Sequence, residues 1–315
     1  MTEPTLRDIR AALERIKPYA HRTPVLTCST IDSLADARLY FKCENFQKVG
    51  AFKFRGACNA VFSLSESEAS RGVATHSSGN HAQALALAAR LRGIPAYIVM
   101  PENAPSVKRS AVEGYGGIVT LCKPNLASRE ETLAKVAAAT GAEVVHPFND
   151  YRVIAGQGTA ALELLEEIPD LDAVIAPVGG GGLLSGTAIC ATELRPGIQV
   201  LAGEPHAADD AFRSIQAGRI LPSDDPQTMA DGLRTSLGEL TFSIIRRLVE
   251  HIITVEEEEI LQAMRLLWER AKIVVEPSGA VPLAAVLSRS AEVTGKRVGV
   301  ILSGGNVDLG ALPFR

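Results

Sequence analysis

The sequence Gly50-Ala51-Phe52-Lys53-Phe54-Arg55-Gly56-Ala57 places one lysine between two aromatic residues at the predicted start of a helix. An amine that is flanked by apolar groups is desolvated, and desolvation lowers its pKa toward the range in which it acts as a nucleophile or base. The alternative is a surface lysine whose stem lies over Phe52 or Phe54 while its ammonium group stays in water. This stretch alone favours the surface interpretation, so the rest of the chain must decide.

Short apolar strands alternate with helices along the rest of the chain. The first series has predicted strands at 73–75, 96–100, 118–121 and 143–145, with helices between them. The second series has predicted strands at 173–177, 199–203 and 298–302, and helices that include 183–193 and 278–289. Such alternation is typical of parallel α/β sheets, and two series predict two α/β units with a ligand-binding cleft between them.

The composition excludes several classes of protein. The chain has 315 residues, a net charge of -4 and no run of Lys or Arg, so we expect no nucleic-acid or membrane partner. Its five cysteines are odd in number and set among apolar neighbours, which indicates reduced core residues. The sequence has no signal-like start and no segment of membrane-spanning length, so we expect a cytoplasmic protein.

Two loops follow predicted strands, at the position where α/β folds bind ligands. His76-Ser77-Ser78-Gly79-Asn80-His81 opens a helix and could direct N–H groups at an anion, although a plain serine cap is the alternative. Pro177-Val178-Gly179-Gly180-Gly181-Gly182-Leu183 could form a nest of N–H donors for a phosphate. A nicotinamide fingerprint is a weaker interpretation, because Leu184 or Ser185 stands where its third glycine belongs.

Two further loops carry polar groups. Ser303-Gly304-Gly305-Asn306-Val307-Asp308 follows the last predicted strand and supplies a hydroxyl beside a tight turn. Gly203-Glu204-Pro205-His206-Ala207-Ala208-Asp209-Asp210 offers carboxylates and turn carbonyls that could bind Mg²⁺ or Ca²⁺. The same acids could cap a helix at 209–216, and their spacing alone favours that role.

Taken together and in this order, the lysine stretch, Ser-Ser-Gly-Asn-His, the glycine-rich loop and Ser-Gly-Gly-Asn resemble the pyridoxal-phosphate enzymes of fold type II. The branch that the chain resembles contains serine racemase and the serine/threonine and 3-hydroxyaspartate dehydratases. The resemblance covers nearly the whole chain and implies a small α/β domain at 72–149. The large domain would consist of residues 1–71 and 150–315, with the cofactor in the interdomain cleft. We expect a homodimer.

The resemblance implies a role for each motif. Lys53 would bind pyridoxal phosphate covalently and then act as the base at Cα, with Phe52 packed beside the cofactor ring. Asn80 would donate to the phenolic oxygen of the cofactor, and Ser303 would meet the pyridine nitrogen. The phosphate would be held by the glycine loop, which consists of Gly179, Gly180, Gly181, Gly182 and Leu183. The substrate carboxylate would receive backbone donors from Ser77, Gly79 and His81.

A serine at the pyridine nitrogen has a chemical consequence. A hydroxyl group cannot act as the anionic counter-ion that keeps the ring nitrogen protonated. The ring is then a weaker electron sink, which favours prompt β-elimination from a hydroxy-amino acid. The predicted products are water, ammonia and a 2-oxo acid.

Further residues refine the prediction. Ser78 would protonate Cα from the face opposite Lys53, which makes racemisation chemically available. Arg129 matches an arginine of the same branch that approaches the distal end of the substrate, which points to 3-hydroxyaspartate; a solvated helix charge is the alternative. By the same resemblance, a structural divalent cation would be bound by Glu204, the carbonyl of Ala208 and Asp210.

The predicted function is a pyridoxal-phosphate-dependent ammonia-lyase for 3-hydroxyaspartate or for serine and threonine, with a racemase as the alternative. Because the sequence ends shortly after Ser303, we expect no C-terminal regulatory domain. A β-replacement enzyme of the same fold, a nicotinamide-dependent oxidoreductase and a non-catalytic amino-acid sensor are the rival interpretations.

Overall fold

The structure, a computed structural model, describes residues 2–288 and 293–312 and contains ten strands within them. The strands are β1 (Val25–Leu26), β2 (Arg38–Cys43), β3 (Val73–His76), β4 (Ala96–Pro101), β5 (Gly117–Cys122), β6 (Glu143–Val144), β7 (Ala173–Pro177), β8 (Gln199–Pro205), β9 (His251–Val255) and β10 (Arg297–Leu302). The strands that are buried along most of their length coincide with the apolar runs of the sequence.

Helices connect most of the strands. They are α1 (Leu6–Ile16), α2 (Ser29–Ala35), α3 (Lys53–Phe62), α4 (Glu66–Ala69), α5 (Asn80–Arg92), α6 (Ser106–Gly114), α7 (Leu126–Thr140), α8 (Tyr151–Glu167), α9 (Gly182–Leu194), α10 (Asp210–Ala217), α11 (Glu239–Leu248), α12 (Glu257–Leu266) and α13 (Pro277–Ser288). Residue 289, the predicted end of the last helix, lies outside the described residues. Within those residues, no helix has both the length and the apolar character needed to cross a bilayer.

The strands form two largely parallel sheets. The six-stranded sheet has the order β1-β2-β10-β7-β8-β9, and only its β1–β2 pair is antiparallel. The four-stranded sheet has the order β5-β4-β3-β6 and is parallel throughout. Parallel strands direct their carboxyl ends to one edge of a sheet, so the loops after β7 and β10, which are neighbours, lie side by side. The predicted α/β fold class is confirmed.

A buried ionic network anchors the start of α3. Arg55 is fully buried and donates to Glu44 Oε2 at 2.7 Å and to Glu163 Oε1 at 2.8 Å. The ammonium group of Lys42, on β2, donates to Glu163 Oε2 at 2.7 Å. Burial alone would raise the pKa of Glu163, but the charges of Arg55 and Lys42 hold it below its ordinary value. The network joins β2, α3 and α8, and thereby fixes the helix that begins at Lys53.

Candidate active site

The lysine stretch and the loop after β10 lie against each other. The backbone N–H of Phe52 donates to the carbonyl of Ser303 at 2.9 Å, and the N–H of Gly305 donates to the carbonyl of Gly50 at 2.9 Å. Ser303 itself is buried, at 3% exposure. Two motifs that are about 250 residues apart in the sequence therefore form one wall of the site.

The amine of Lys53 lies in a partly apolar setting. Its Nζ donates to the carbonyl of Pro147 at 2.9 Å and lies 5.1 Å from the centre of the Phe52 ring. Burial lowers the pKa of Lys53 to about 8. The ring of Phe54 is fully buried in the core, with Lys48 Nζ 5.7 Å from its centre. One ring and the loss of water are sufficient to make this amine a candidate nucleophile.

The loop between β3 and α5 borders open space. Its residues 77–80 are half-buried, and a Cβ at Gly79 would meet no heavy atom of the described residues within 4 Å. The loop opens α5, whose first N–H groups have no partner within the helix and favour an anion. Ser78 lies on this loop between Ser77 and Gly79.

Two details of this loop modify the predicted contacts with a substrate carboxylate. The backbone N–H of Ser77 donates to the carbonyl of Val99 at 3.1 Å, so the sheet already uses the donor that was assigned to the substrate. The hydroxyl of Ser77 accepts from the N–H of Gly79 at 3.3 Å. The His81 ring is buried, with Nε2 3.2 Å from the carbonyl of Val145, which leaves only its backbone N–H for the predicted role.

The glycine loop between β7 and α9 is closely packed. Gly181 has a φ of 86°, in the left-handed region that favours glycine. A Cβ at Gly180 would lie 2.2 Å from Cδ1 of Phe148, and the carbonyl of Gly180 accepts from Thr241 Oγ1 at 2.9 Å. Glycine is therefore required here for both backbone conformation and space, and the loop meets the N-terminus of α9 as an anion site requires.

Glu276 and Asn306 belong to the site, but Glu276 was not singled out in the sequence and Asn306 was given no role there beyond its place in the Ser-Gly-Gly-Asn motif. Glu276 Oε1 accepts from Asn80 Nδ2 at 2.9 Å, and Asn306 Nδ2 donates to Asn80 Oδ1 at 2.9 Å. Burial, and then the charge of Asp231, raise the pKa of Glu276 to about 8. One feature of the sequence could have indicated Glu276: it is a single acidic residue that directly follows the apolar run 273–275 and precedes Pro277, at the start of a helix.

Arg129 and two histidines, His76 at the end of β3 and His146 just beyond β6, lie near one another. The rings of His76 and His146 are 6.2 Å apart, and burial lowers the pKa of His76, while the charge of Glu130 acts in the opposite direction and that of Arg129 in the same direction. His146 Nδ1 accepts from the N–H of Asn149 at 2.9 Å, which leaves Nε2 as its donor. Arg129 has a buried Nε that makes no hydrogen bond within the described chain.

The acidic loop after β8 is buried. Glu204 is fully buried and accepts from the N–H groups of Ala211 and Phe212, both at 2.8 Å, so it caps the start of α10 as the alternative interpretation held. Asp210 is also fully buried, and burial raises its pKa to about 6. Neither carboxylate oxygen of Asp210 makes a well-formed hydrogen bond to a described residue. Ala208 is buried nearby in a 3₁₀ turn.

The chain is similar to known proteins over nearly its whole length. A family model described as "Pyridoxal-phosphate dependent enzyme" matches residues 16–304. The chain is 55% identical to beta-hydroxyaspartate dehydratase from Paracoccus denitrificans over 99% of each protein. It is 49% identical to L-threo-3-hydroxyaspartate ammonia-lyase from Saccharomyces cerevisiae, over 98% of this chain and 95% of the relative. The crystal structure of serine racemase from Dictyostelium discoideum superposes with a TM-score of 0.93 at 54% identity, over 97% of this chain and 99% of that one.

Proposed function

Because the chain belongs to the pyridoxal-phosphate dependent enzymes of fold type II, we propose that it is an ammonia-lyase that removes water and then ammonia from 3-hydroxyaspartate. The observation that carries the choice of substrate is Arg129, which lies near His76 at the edge of the site and whose buried Nε makes no hydrogen bond to the described residues. A second carboxylate on the substrate would supply that partner, and guanidinium groups bind carboxylates with strong, charge-assisted hydrogen bonds.

The residues of the site fit pyridoxal phosphate. Lys53 is half-buried as a residue and burial lowers the pKa of its amine, which suits covalent attachment to an aldehyde. The glycine loop from Gly179 to Leu183 presents backbone donors at a helix N-terminus, which suits a phosphate group. Ser303, buried beside the lysine stretch, would place a neutral hydroxyl at the ring nitrogen, and Phe52 would lie beside the ring.

Pyridoxal phosphate, when bound, withdraws electrons from the Cα atom of an amino acid that is joined to it. Lys53 would accept the Cα proton and give it to the hydroxyl group on Cβ, which would leave as water. Asn80 would donate a hydrogen bond to the phenolic oxygen and thereby orient the ring. The N–H of His81, and that of Gly79 once it leaves the Ser77 hydroxyl, would hold the substrate carboxylate, while Arg129 would hold the distal one. Hydrolysis of the released enamine would give ammonia and a 2-oxo dicarboxylate.

Product analysis tests this proposal directly. The protein loaded with pyridoxal phosphate is incubated with serine, threonine and each stereoisomer of 3-hydroxyaspartate, and ammonia and 2-oxo acid are measured. We expect the highest kcat/KM with one hydroxyaspartate stereoisomer. Higher values with serine or threonine would contradict the choice of substrate, and the absence of ammonia from all of them would contradict the lyase activity.

Racemisation is the second candidate activity, and Ser78 is the observation that favours it. This hydroxyl lies on the half-buried loop that borders the open space at Gly79, where it would exchange a proton with Cα on the face opposite Lys53. Ser78→Ala should reduce racemisation of serine roughly 100-fold or more while elimination falls much less. Equal losses of the two activities would remove Ser78 from this role.

We also propose a divalent cation at Glu204, the carbonyl of Ala208 and Asp210. Within the described ranges, no group of three or more His, Cys, Asp or Glu side chains could hold a metal ion, so the site would depend on two carboxylates, a carbonyl and water. The support is the pair of buried Asp210 oxygens that lack a well-formed hydrogen bond. Chelation should lower the melting temperature, and Mg²⁺ or Ca²⁺ should restore it; indifference to chelator would leave Glu204 as a helix cap alone.

The assembly is proposed to be a homodimer, in keeping with the resemblance. Light scattering coupled to size-exclusion chromatography would measure the mass in solution. A mass near that of one 33.4 kDa chain would contradict a dimer.

A further inference from the structure

Glu276 is a buried carboxyl group that joins two loops of the site. Its backbone N–H donates to the carbonyl of Gly304 at 3.0 Å, and a Cβ at Gly304 would lie 2.4 Å from its Oε1 atom. The same Oε1 accepts from Nδ2 of Asn80, the first residue of α5, at 2.9 Å. Glu276 thus holds the side-chain amide of Asn80, at the start of α5, against the loop that follows β10.

The orientation of the Asn80 amide is determined by a chain of hydrogen bonds. Asn306 Nδ2 donates to the carbonyl of Val49 at 2.7 Å and to Asn80 Oδ1 at 2.9 Å. A backbone carbonyl can only accept, so Asn306 must present its NH₂ group to Val49. The other hydrogen of the Asn306 NH₂ group points at Asn80, so the Asn80 atom that faces it must be the acceptor Oδ1. The NH₂ group of Asn80 then points the other way, toward the acceptor Glu276.

The first member of this chain is held in a strained backbone conformation. Val49 is β-branched and has a φ of 56°, in the left-handed region that such residues rarely adopt. Strain of this kind persists only where the surrounding structure determines it, and it concentrates at functional sites. The turn also brings Gly50 so close to Asn306 that a Cβ at Gly50 would lie 2.5 Å from Asn306 Oδ1. The position of the Val49 carbonyl is therefore fixed by the fold.

We propose that Glu276 is a positioning residue that acts through Asn80. As the last acceptor of the chain Val49–Asn306–Asn80–Glu276, it fixes the Asn80 amide and leaves its second N–H free for the phenolic oxygen of pyridoxal phosphate. An apolar residue at 276 would leave the Asn80 NH₂ group without this acceptor, and the amide would rotate to find another. The inference rests on the proposed function, because the contact of Asn80 with the cofactor is part of it.

The charges around Glu276 do not remove its acceptor role. Burial and Asp231 raise its pKa to about 8, whereas the hydrogen bond from Asn80 and the charge of Lys108 act in the opposite direction. Lys108 and Asp231 are themselves paired at 2.7 Å. A protonated carboxyl group still keeps an acceptor oxygen, so Glu276 can accept from Asn80 on either side of this pKa. Glutamine should therefore replace it, and leucine should not.

The test uses the visible absorbance of the lysine-bound cofactor, titrated against pH in the holoenzyme. The titrating proton is shared between the phenolic oxygen and the lysine nitrogen. A hydrogen bond donated to the oxygen stabilises the deprotonated form, so losing that donor moves the titration midpoint to higher pH. For Glu276→Leu we expect a rise of roughly 0.5 to 1 pH unit, the equivalent of one hydrogen bond. For Glu276→Gln we expect a midpoint close to that of the wild type. An unchanged midpoint in E276L, or equal shifts in E276L and E276Q, would overturn the proposal.

A double-mutant cycle separates positioning from a structural effect. In the background of Asn80→Ala, Glu276→Leu should cause no further shift, because the residue through which it acts is gone. Additive shifts would overturn the proposal. If E276L does not fold, Asn306→Ala breaks the same series of hydrogen bonds at its other end. It should raise the titration midpoint when Asn80 is present and leave the midpoint of the Asn80→Ala variant unchanged. A midpoint that N306A leaves unchanged would contradict the proposal.

This outcome is distinguishable from failure of the proposed function. A wild-type protein that takes up no pyridoxal phosphate, or that releases no ammonia, contradicts the proposed function. A wild-type holoenzyme that releases ammonia, combined with an unchanged midpoint in the variants, contradicts only the role of Glu276.

Discussion

The two walls of the cleft differ in how closely they are packed. On the six-stranded sheet, the N–H of Phe52 donates to the carbonyl of Ser303 at 2.9 Å, and a Cβ at Gly180 would lie 2.2 Å from Phe148. Beside the four-stranded sheet, residues 77–80, which follow β3, are half-buried, and a Cβ at Gly79 would meet no atom of the described part of the chain within 4 Å. One wall is determined by backbone contacts, while the other leaves room beside polar side chains.

This difference suits the two kinds of ligand that the enzyme must bind. A cofactor of constant shape is bound best by preorganised backbone donors, which change little between states. A substrate is selected by a few side chains that project into open space, as Arg129 would do for a second carboxylate. Substitutions of the closely packed residues on the first wall should therefore abolish function or folding, whereas substitution of Arg129, which would contact only the distal carboxylate, should change selectivity.

The largest effect is expected at the amine of the first wall. Lys53→Ala should lose the visible absorbance of the bound cofactor and roughly 10⁴-fold or more in kcat, because both the covalent anchor and the base at Cα are removed. Lys48→Ala is the matched control, since Lys48 lies over Phe54 rather than beside Pro147. Spectra and ammonia release measure both variants. A yellow, active K53A protein would contradict the role of this lysine.

The next effect concerns the stability of the first wall. Arg55→Leu would leave Glu44 and Glu163 buried without their shared partner, which should lower the free energy of unfolding by about 3 to 5 kcal/mol. Arg109→Leu removes an exposed pair with Glu113 and should cost at most about 0.5 kcal/mol. Denaturant unfolding measures the two losses. Similar values would mean that the buried network does not fix the start of α3.

The second wall should respond by a change in selectivity. Arg129→Ala should lower kcat/KM for 3-hydroxyaspartate roughly 10- to 100-fold, the value of one or two charge-assisted hydrogen bonds, and should leave serine nearly unaffected. Arg109→Ala, also on a small-sheet helix, is the control for charge alone. If kcat/KM falls by the same factor for serine and for hydroxyaspartate, Arg129 does not bind the distal carboxylate.

Much of the architecture could be predicted because its strands are buried on both faces. β3, β4 and β7 read as continuous apolar runs, as strands of parallel sheets do. β9 was missed because it is a half-exposed edge strand between two helices. The domain division at 72–149 stays a prediction, although β3 to β6 all lie within that range.

The sequence could predict those site residues whose side chains have a recognisable chemistry within a motif, but not those that contribute through a contact made by the fold. The family resemblance is confirmed by the comparisons, while the roles of Lys53, Asn80 and the glycine loop stay predictions. Glu276 and the carbonyl of Pro147 were missed because each contributes through a contact made by the fold. A carbonyl oxygen is the same in every residue, so no local pattern could have indicated Pro147.

The smallest effect, and the one that tests the setting of the first wall, is the pH dependence of cofactor attachment. Only the neutral amine attacks an aldehyde, and burial lowers the pKa of Lys53 to about 8. In the apoprotein, the rate of attachment should therefore rise about tenfold per pH unit below that value and become constant above it. An ordinary lysine, with a pKa of about 10.4, would give a rate that still rises at pH 9. Stopped-flow absorbance measures this rate. A rate that continues to rise through pH 9 would mean that the packed wall does not desolvate the amine, and the contrast between the two walls would then rest on backbone geometry alone.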